Sequence, residues 1–254
     1  MLLGYTGSFI YDDDAPLAER RATALSLDTA LLAQLLGRVD LRELLDPDVV
    51  AQTVARLQRT DPDRRARDGQ DVDDLLRWLG PLDIAAIGER YGGDEDLDSL
   101  LTGLLDGSRV VRVSLPSAAG APAREKFASI EDIARLRDGL GVPPPIGVPQ
   151  AYLEPVADPV GDLVHRYART HGPFTADEAA ADLGMAIAVV REVLTRLAGR
   201  RTVVEGAFLP RADAAEAQWC HSDVLGQLRR GSLAAGRAAV QPVDHATYAR
   251  FLLR

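Results

Sequence analysis

Residues 172–204, GPFTADEAAADLGMAIAVVREVLTRLAGRRTVV, repeat residues 80–111, GPLDIAAIGERYGGDEDLDSLLTGLLDGSRVV, at an offset of about 92 residues. The matches keep their order along both copies: Gly80-Pro81 with Gly172-Pro173, Gly92 with Gly184, Leu101-Thr102 with Leu194-Thr195, Leu104 with Leu197, and Val110-Val111 with Val203-Val204. An ordered series of this kind indicates an internal repeat, which must be recognised before a fold is assigned.

Each copy predicts three short helices followed by a β-hairpin. A Gly-Pro break separates the first two helices, and a Gly turn precedes the third. The helices are expected at 72–79, 84–91 and 97–105, and again at 163–170, 175–183 and 187–197; the hairpins are expected at 109–115 with 125–129, and at 202–209 with a longer return before Trp219. Thr175 and Glu178 have the spacing of a capping box. This order is that of a winged helix, and the predicted fold class is mainly α with small β wings.

The rest of the chain predicts an N-terminal helical segment ahead of two tandem winged-helix modules. We expect a helical segment at 1–68, a first module with its proline-rich linker at 69–150, and a second module at 151–254. Within the first segment a strand is expected at 2–11, followed by an acidic turn at Asp12–Asp14 and helices at 17–25, 29–36, 41–45 and 47–59, with Asp28 and Asp46 as N-caps. A strand so near residue 1 favours a sheet that continues upstream. Six prolines between Gly141 and Pro159 favour a semi-rigid spacer that fixes the two modules relative to each other.

Composition limits the classes of function. The 254 residues include one cysteine, so no disulfide forms within the chain, and no apolar run is long enough to span a membrane; a cytoplasmic location is expected. The net charge of −9 argues against coating DNA over the whole surface. Residues 158–254 include 12 Lys and Arg and 11 Asp and Glu, so this part of the chain is nearly neutral. Residues 1–157 include 17 Lys and Arg and 27 Asp and Glu, so the negative charge lies in the first part.

No motif of a catalytic or metal centre is apparent. The phosphate-binding pattern G-x-x-x-x-G-K-[ST] is absent, so the chain is not expected to hydrolyse ATP, and no cofactor is expected. The spacings of His165, His171 and His221 fit no metal cluster, and we interpret these histidines as satisfied surface residues. Asp12–Asp14 is interpreted as an exposed turn.

The third helices of the two copies differ in charge. The first begins Asp94-Glu95-Asp96-Leu97-Asp98, which would repel phosphates, and is expected to pack against protein. The second carries Arg191, Thr195 and Arg196 and leads into Arg200 and Arg201. These five residues are the predicted nucleic-acid contacts. Alternatively, the arginines are the solvated side of an amphipathic helix whose buried stripe holds Ile187, Val190, Leu194 and Leu197.

Four aromatic residues, Trp78, Phe127, Phe174 and Trp219, are interpreted as core residues. Stacking on an extruded base would require exposure, which sequence does not show.

Three strings resemble the bacterial large helicase-related (Lhr) proteins: Pro16-Leu17-Ala18-Glu19-Arg20-Arg21, Leu41-Arg42-Glu43-Leu44-Leu45-Asp46-Pro47 and Tyr167-Ala168-Arg169-Thr170-His171-Gly172-Pro173-Phe174. The similarity extends over essentially the whole chain. It implies a parent superfamily 2 ATP-dependent DNA helicase that moves 3′ to 5′ and acts in DNA repair. The segment would belong to its C-terminal region of winged-helix modules, which is associated with oligomer assembly and is similar to tandem winged-helix DNA glycosylases. ATP and Mg would bind only in the motor domains, which have no counterpart here.

The leading hypothesis is therefore a non-catalytic winged-helix region that contacts DNA, the remainder of a helicase chain and, in a homo-oligomer, further copies of itself. Two alternatives stay open, a DNA glycosylase-like enzyme that attacks a flipped nucleotide and a pure oligomerisation scaffold. A free-standing transcriptional regulator is disfavoured by the acidic third helix of the first copy.

Overall fold

The structure, a computed structural model, describes residues 39–41, 44–116, 123–210 and 217–239. The strand expected at 2–11, the Asp12–Asp14 turn, Asp28 as an N-cap and the helices expected at 17–25 and 29–36 lie outside the described residues. No helix within the described ranges is both long and apolar enough to cross a bilayer.

The first module has the predicted order of elements. Its elements are α2 (Gly69–Leu79), α3 (Ile84–Glu89), α4 (Leu97–Asp106), β2 (Val110–Leu115) and β3 (Arg124–Ser129). All three helices begin at an aspartate whose side chain accepts a backbone N–H of the first turn, namely Asp68, Asp83 and Asp96. Strands β2 and β3 pair antiparallel as the predicted wing.

The second module repeats this order. Its elements are α6 (Pro159–Thr170), β4 (Phe174–Thr175), α7 (Ala176–Leu183), α8 (Ile187–Gly199), β5 (Val203–Ala207) and β6 (Gln218–His221). The predicted capping box is confirmed, since Thr175 accepts from the Glu178 N–H and Glu178 accepts from the Thr175 N–H. In both modules the turn from third helix to wing contains a left-handed residue, Ser108 with φ 52° and Arg201 with φ 59°. The repeat therefore extends to backbone conformation.

Each module has its own core, formed by the inner faces of its helices and its wing. Leu104 and Leu197, matched in the repeat, are 6 % and 7 % exposed. Around Leu104 lie Val72, Leu76, Ile87, Leu100, Leu101 and Val110; around Leu197 lie Val164, Phe174, Val190, Leu194, Val203 and Trp219. The predicted burial of both leucines is confirmed.

The part of the N-terminal segment that is described packs on the second module. Strand β1 (Val39–Asp40) pairs parallel with β5, which gives a sheet in the order β1-β5-β6-β4. The helix expected at 41–45 is wrong, because Leu44 and Leu45 only form a turn in which both backbone N–H groups donate to Leu41 O. Helix α1 (Pro47–Leu57) follows, and Asp46 caps it as predicted. Helix α9 (Ser222–Ala239), which the sequence did not predict, packs on α1.

The two modules share a further core at their seam. It joins the first wing, helix α5 (Ile133–Leu140) and helix α6, through Val113, Leu115, Ile133, Leu136, Val142 and Leu163. The proline-rich spacer contributes Val142 and a short 3-10 helix (Gln150–Leu153), and Pro159 begins α6 in the first turn, where proline is tolerated. The modules are therefore packed together rather than joined by an open tether.

Candidate nucleic-acid interface

The outer face of α8 carries part of the predicted contact set. Arg191 and Thr195 lie one turn apart and are exposed, and the Thr195 hydroxyl donates to Arg191 O at 2.8 Å. The opposite face of the helix is buried through Val190, Val193, Leu194 and Leu197. The amphipathic stripe is thus real, and it leaves the polar residues facing outward.

Arg200 and Arg201 lie where α8 ends and the second wing begins. Both are exposed, and neither has a carboxylate partner within the described parts of the chain. Arg201 adopts the left-handed conformation, which costs a non-glycine residue about 1–2 kcal/mol. The first module has Gly107 and Ser108 at the matching positions, so the pair of cations is specific to the second module.

Arg196 is directed elsewhere. Its Nη2 donates to both carboxylate oxygens of Asp158, at 2.9 and 2.7 Å, and Asp158 is the N-cap of α6. The positive charge of Arg196 is therefore matched within the protein, and the pair ties α8 to α6. Arg191 is 3.9 Å from Asp177, at the limit of an ion pair, with both side chains 61 % exposed. Of the predicted set, Arg191, Thr195, Arg200 and Arg201 thus remain accessible to a ligand.

The equivalent surface of the first module is acidic. Asp94, Glu95, Asp96 and Asp98 are all exposed, and helix α4 contains no Lys or Arg. Asp96 has a structural role, since it accepts the Ser99 N–H at 3.1 Å. Carboxylates at this position would oppose the approach of phosphate groups.

The first wing docks on the second module. Arg124 donates to the carbonyl oxygens of Ala181 and Asp182, at 2.7 and 3.2 Å, near the C-terminus of α7. A Cβ placed on Gly184 would lie 2.2 Å from Pro116 O, which shows how closely the wing approaches the turn after α7. The first wing is therefore bound to the second module, at α7 and the turn that follows it.

The interpretation of the histidines as surface residues is wrong for His221, which is 5 % exposed. Its Nε2 lies 3.4 Å from His165 Nε2, and its Nδ1 accepts the Asp223 N–H at 3.2 Å. His221 is therefore the neutral tautomer that donates through Nε2. Burial lowers the pKa values of both His171 and His221. Within the described ranges no group of three or more candidate ligands could hold a metal ion.

The aromatic residues divide into two kinds. Phe174 and Trp219 are buried, at 3 % and 6 % exposure, as the core interpretation requires. Trp78 instead lies at the seam, where its indole donates to Leu57 O at 2.9 Å and the guanidinium of Arg169 lies 4.9 Å from its ring centroid. Sequence reasoning did not find Arg169, because the two residues meet only when the modules pack together.

These features define a tandem winged-helix protein with one basic and one acidic third helix. Residues 43–155 match the family described as "Large helicase-related protein, winged-helix domain". The chain is 51 % identical over 252 residues to "Lhr helicase/ probable uracil glycosylase" of Mycolicibacterium smegmatis, and 41 % identical over 254 residues to "Lhr helicase/uracil glycosylase" of Escherichia coli. These alignments cover 99 % and 100 % of the chain, and 16 % of each relative. The chain is homologous to one segment of the large helicase-related proteins and contains their winged-helix domain.

Proposed function

We propose that this chain is a non-catalytic region of an Lhr-type ATP-dependent DNA repair helicase in the cytoplasm, and that it contacts DNA through its second module. This proposal rests on the difference in charge between the third helices of the two modules. The second copy presents Arg200 and Arg201, without carboxylate partners among the described residues, at the end of its third helix, and the first presents carboxylates. Neutralisation of phosphates by Lys and Arg supplies essentially all of the non-specific affinity of a protein for DNA. ATP and Mg would act in motor domains outside this chain.

The first module serves assembly in this proposal. Its wing is bound to α7 of the second module through Arg124, and its third helix repels phosphate. We infer that it holds the second module in place and faces other protein, either the remainder of the helicase or a further copy of the chain.

The test compares matched charge variants in DNA binding over a salt series. Replacing Arg191, Arg200 and Arg201 with Gln should weaken binding and lower the salt slope by about 0.7–0.9 for each phosphate that is no longer bound. Arg196→Gln should change the slope less, because the charge of Arg196 is already matched by Asp158. Circular dichroism verifies folding.

A variant of the first module, in which carboxylates rather than arginines are neutralised, should have the opposite effect on DNA binding. Neutralising Asp94, Glu95 and Asp98 should leave DNA affinity unchanged or raise it, since carboxylates near phosphate oppose binding. Asp96 is kept because it caps α4. Wild-type affinity and slope in the arginine variant would reject the second module as a DNA contact and leave an assembly scaffold.

Uracil excision is a second candidate, because both relatives have "uracil glycosylase" in their descriptions. An assay with uracil-containing DNA and the purified chain tests it directly. Strand scission after alkali, absent from a uracil-free control, would assign glycosylase activity to this region rather than to another part of the protein.

A further inference from the structure

Two guanidinium groups lie over the same tryptophan ring at the seam between the modules. The ring is that of Trp78 in α2, and its centroid is 5.9 Å from Arg59 Cζ and 4.9 Å from Arg169 Cζ. Arg59 follows the end of α1, whereas Arg169 lies in the last turn of α6. The N-terminal segment and the two modules each contribute one of the three side chains, so the group forms only when the modules pack together.

Hydrogen bonds tie together the ends of the two helices that carry the arginines. The indole N–H of Trp78 donates to Leu57 O at 2.9 Å, at the end of α1. The side-chain amide of the next residue, Gln58, donates to Thr170 O at 2.8 Å, at the end of α6. The C-terminal ends of α1 and α6 are therefore held against each other beside the tryptophan ring.

Two surface depressions meet at this ring. One, of about 440 Å³, has Arg59 in its lining, and the other, of about 380 Å³, has Arg169. Each is lined by four arginines and three carboxylates, so both carry net positive charge on a chain whose net charge is −9. A basic surface therefore crosses the seam.

In the second depression the carboxylates are matched by arginines of the same depression. The ion pairs are Asp132 with Arg135 and Arg166, Asp162 with Arg135, and Glu131 with Arg77. Neither Arg59 nor Arg169 has an ion pair with a carboxylate among the residues that the structure describes. An anion bound at the seam would match these two positive charges.

The first depression extends the positive surface beyond Arg59. Its remaining arginines, which are all exposed, are Arg64, Arg65 and Arg67. Two of its three carboxylates have protein partners, since Asp71 accepts a backbone N–H at 2.9 Å and Asp74 is paired with Arg77 at 3.4 Å. The carboxylates therefore offset only part of the positive charge.

An arginine that lies over an aromatic ring remains able to bind phosphate. The ring contacts the flat face of a guanidinium group, whereas the N–H donors lie in its plane and fit two phosphate oxygens. The ring also restricts the side chain, so less rotamer freedom is lost when a ligand binds. Two such groups with a basic depression on either side match a chain of phosphates better than one isolated phosphate.

The seam and the proposed DNA contact lie at opposite ends of α6. Asp158, at the start of α6, is bound to Arg196 of α8, close to Arg200 and Arg201, whereas Arg169 lies at the end of α6. The 12 residues of α6 span about 18 Å. A DNA strand of several nucleotides covers that distance.

We propose that Arg59 and Arg169 bind phosphates of a DNA strand where it crosses the seam between the modules, and that Trp78 is a positioning residue for both guanidinium groups. Binding at this site requires the modules to be packed together. The inference rests on the proposed function in taking DNA as the occupant, and it does not require the contact at Arg200 and Arg201.

The experiment measures the affinity of the chain for a labelled single-stranded oligonucleotide over a salt series. Arg59→Gln with Arg169→Gln should raise Kd at least about five-fold at low salt and lower the salt slope by about 0.7–0.9 for each of the two phosphates. The matched control, Arg230→Gln with Arg237→Gln, removes the same charge from exposed positions on α9. It should stay close to wild type, because this part of α9 lies at the start of α1, where Ser232 Oγ accepts the Asp46 N–H, and not at its end.

Two substitutions of Trp78 test its positioning role without changing any charge. Trp78→Leu removes the ring and should weaken binding while it keeps most of the salt slope, because both arginines remain. Trp78→Phe keeps an aromatic ring and should restore most of the affinity. Equal affinities of the two variants would contradict the positioning role. Circular dichroism verifies folding of each variant.

The seam site and the contact on α8 fail in distinguishable ways. If the seam double variant keeps the wild-type slope while the variant of Arg191, Arg200 and Arg201 loses binding, the seam site is overturned and its surface is left to an acidic protein segment. An equal loss in the α9 control would also overturn it, since net charge alone would then explain the effect. A loss in the seam variant alone would support the seam site and reject the contact on α8. Wild-type binding by both variants would overturn both.

Discussion

Two histidines, the buried His221 and the partly buried His171, make the stability of this protein dependent on pH. Burial lowers the pKa values of His171 and His221, so the unfolded chain binds protons more readily than the folded one as the pH falls below about 6.5. Their contribution to stability is fully present above the unfolded pKa and disappears as the pH falls through that value towards the folded pKa. The free energy of unfolding should therefore decrease between pH 7 and pH 5.

Urea titrations across that range measure this dependence. His221→Gln should reduce the slope, by at most about 1.4 kcal/mol per pH unit for the one proton removed. Measurements at pH 8, where His171 and His221 are neutral, separate the missing hydrogen bond to His165 from the missing titration. An unchanged slope would contradict the burial of a neutral His221.

The matched leucines of the repeat should have matched energetic roles. Leu104→Ala and Leu197→Ala each remove a buried side chain from the core of a module and should lower the free energy of unfolding by about 2–5 kcal/mol. Val189→Ala, on the 40 % exposed side of α8, is the control and should cost less than about 0.5 kcal/mol. A Leu104→Ala variant as stable as wild type in urea would show that the repeat is wrongly aligned.

At the level of helices and strands, local patterns predicted most of each module and none of its long-range pairing. The helices of each copy follow from the Gly-Pro breaks and the Gly turns, and α7 also from the capping box of Thr175 and Glu178, which acts within three residues. Strand β1 was missed because two residues become a strand only beside β5, 167 residues later. The His165–His221 contact was missed for the same reason, since it joins two residues that are 56 positions apart in the sequence.

The turn after α7 decides how closely the first wing can approach the second module. Gly184 has φ +68°, and an added Cβ would lie 2.2 Å from Pro116 O. Gly184→Ala should destabilise the protein by more than about 1–2 kcal/mol, because the clash adds to the cost of a left-handed alanine. Gly199→Ala is the control, because an added Cβ there meets nothing within 4 Å, and it should be neutral or stabilising. Thermal unfolding of both variants and of the wild type measures the two effects. Equal effects of the two substitutions would show that the wing does not dock at this turn.

Over the whole molecule, the chain passes from the second module to the first and back. Residues 39–41 and 44–57 pack on the second module, α2 to β3 form the first module, and α6 returns to the second. Gln58 lies where the chain passes from the second module to the first and contacts both, since its side chain donates to Thr170 O of α6 and accepts from Arg90 of the first module. A segment that sequence order assigns to the N-terminal end thus stabilises the module proposed to bind DNA.

Cys220 provides a direct probe of that packing. It is fully buried in a cluster that joins the N-terminal segment, through Leu45 and Val50, to the second module, through Phe208 and Leu225. Burial also raises the pKa of the thiol, which suppresses the reactive thiolate. Reaction with a thiol reagent in the native state therefore requires this cluster to open.

Leu45→Ala should accelerate thiol labelling at least about ten-fold, because removing a buried leucine lowers the free energy of opening by more than about 1.4 kcal/mol. Gln52→Ala, an exposed position on α1, should leave the labelling rate unchanged. Cys220 is the single cysteine, so the signal has one source. Labelling of Leu45→Ala at the wild-type rate would mean that the N-terminal segment does not cover the second module. If the rate rises as expected, residues 39–57 must be kept in any fragment used to measure DNA binding by the second module, because the sheet and core of that module are incomplete without them.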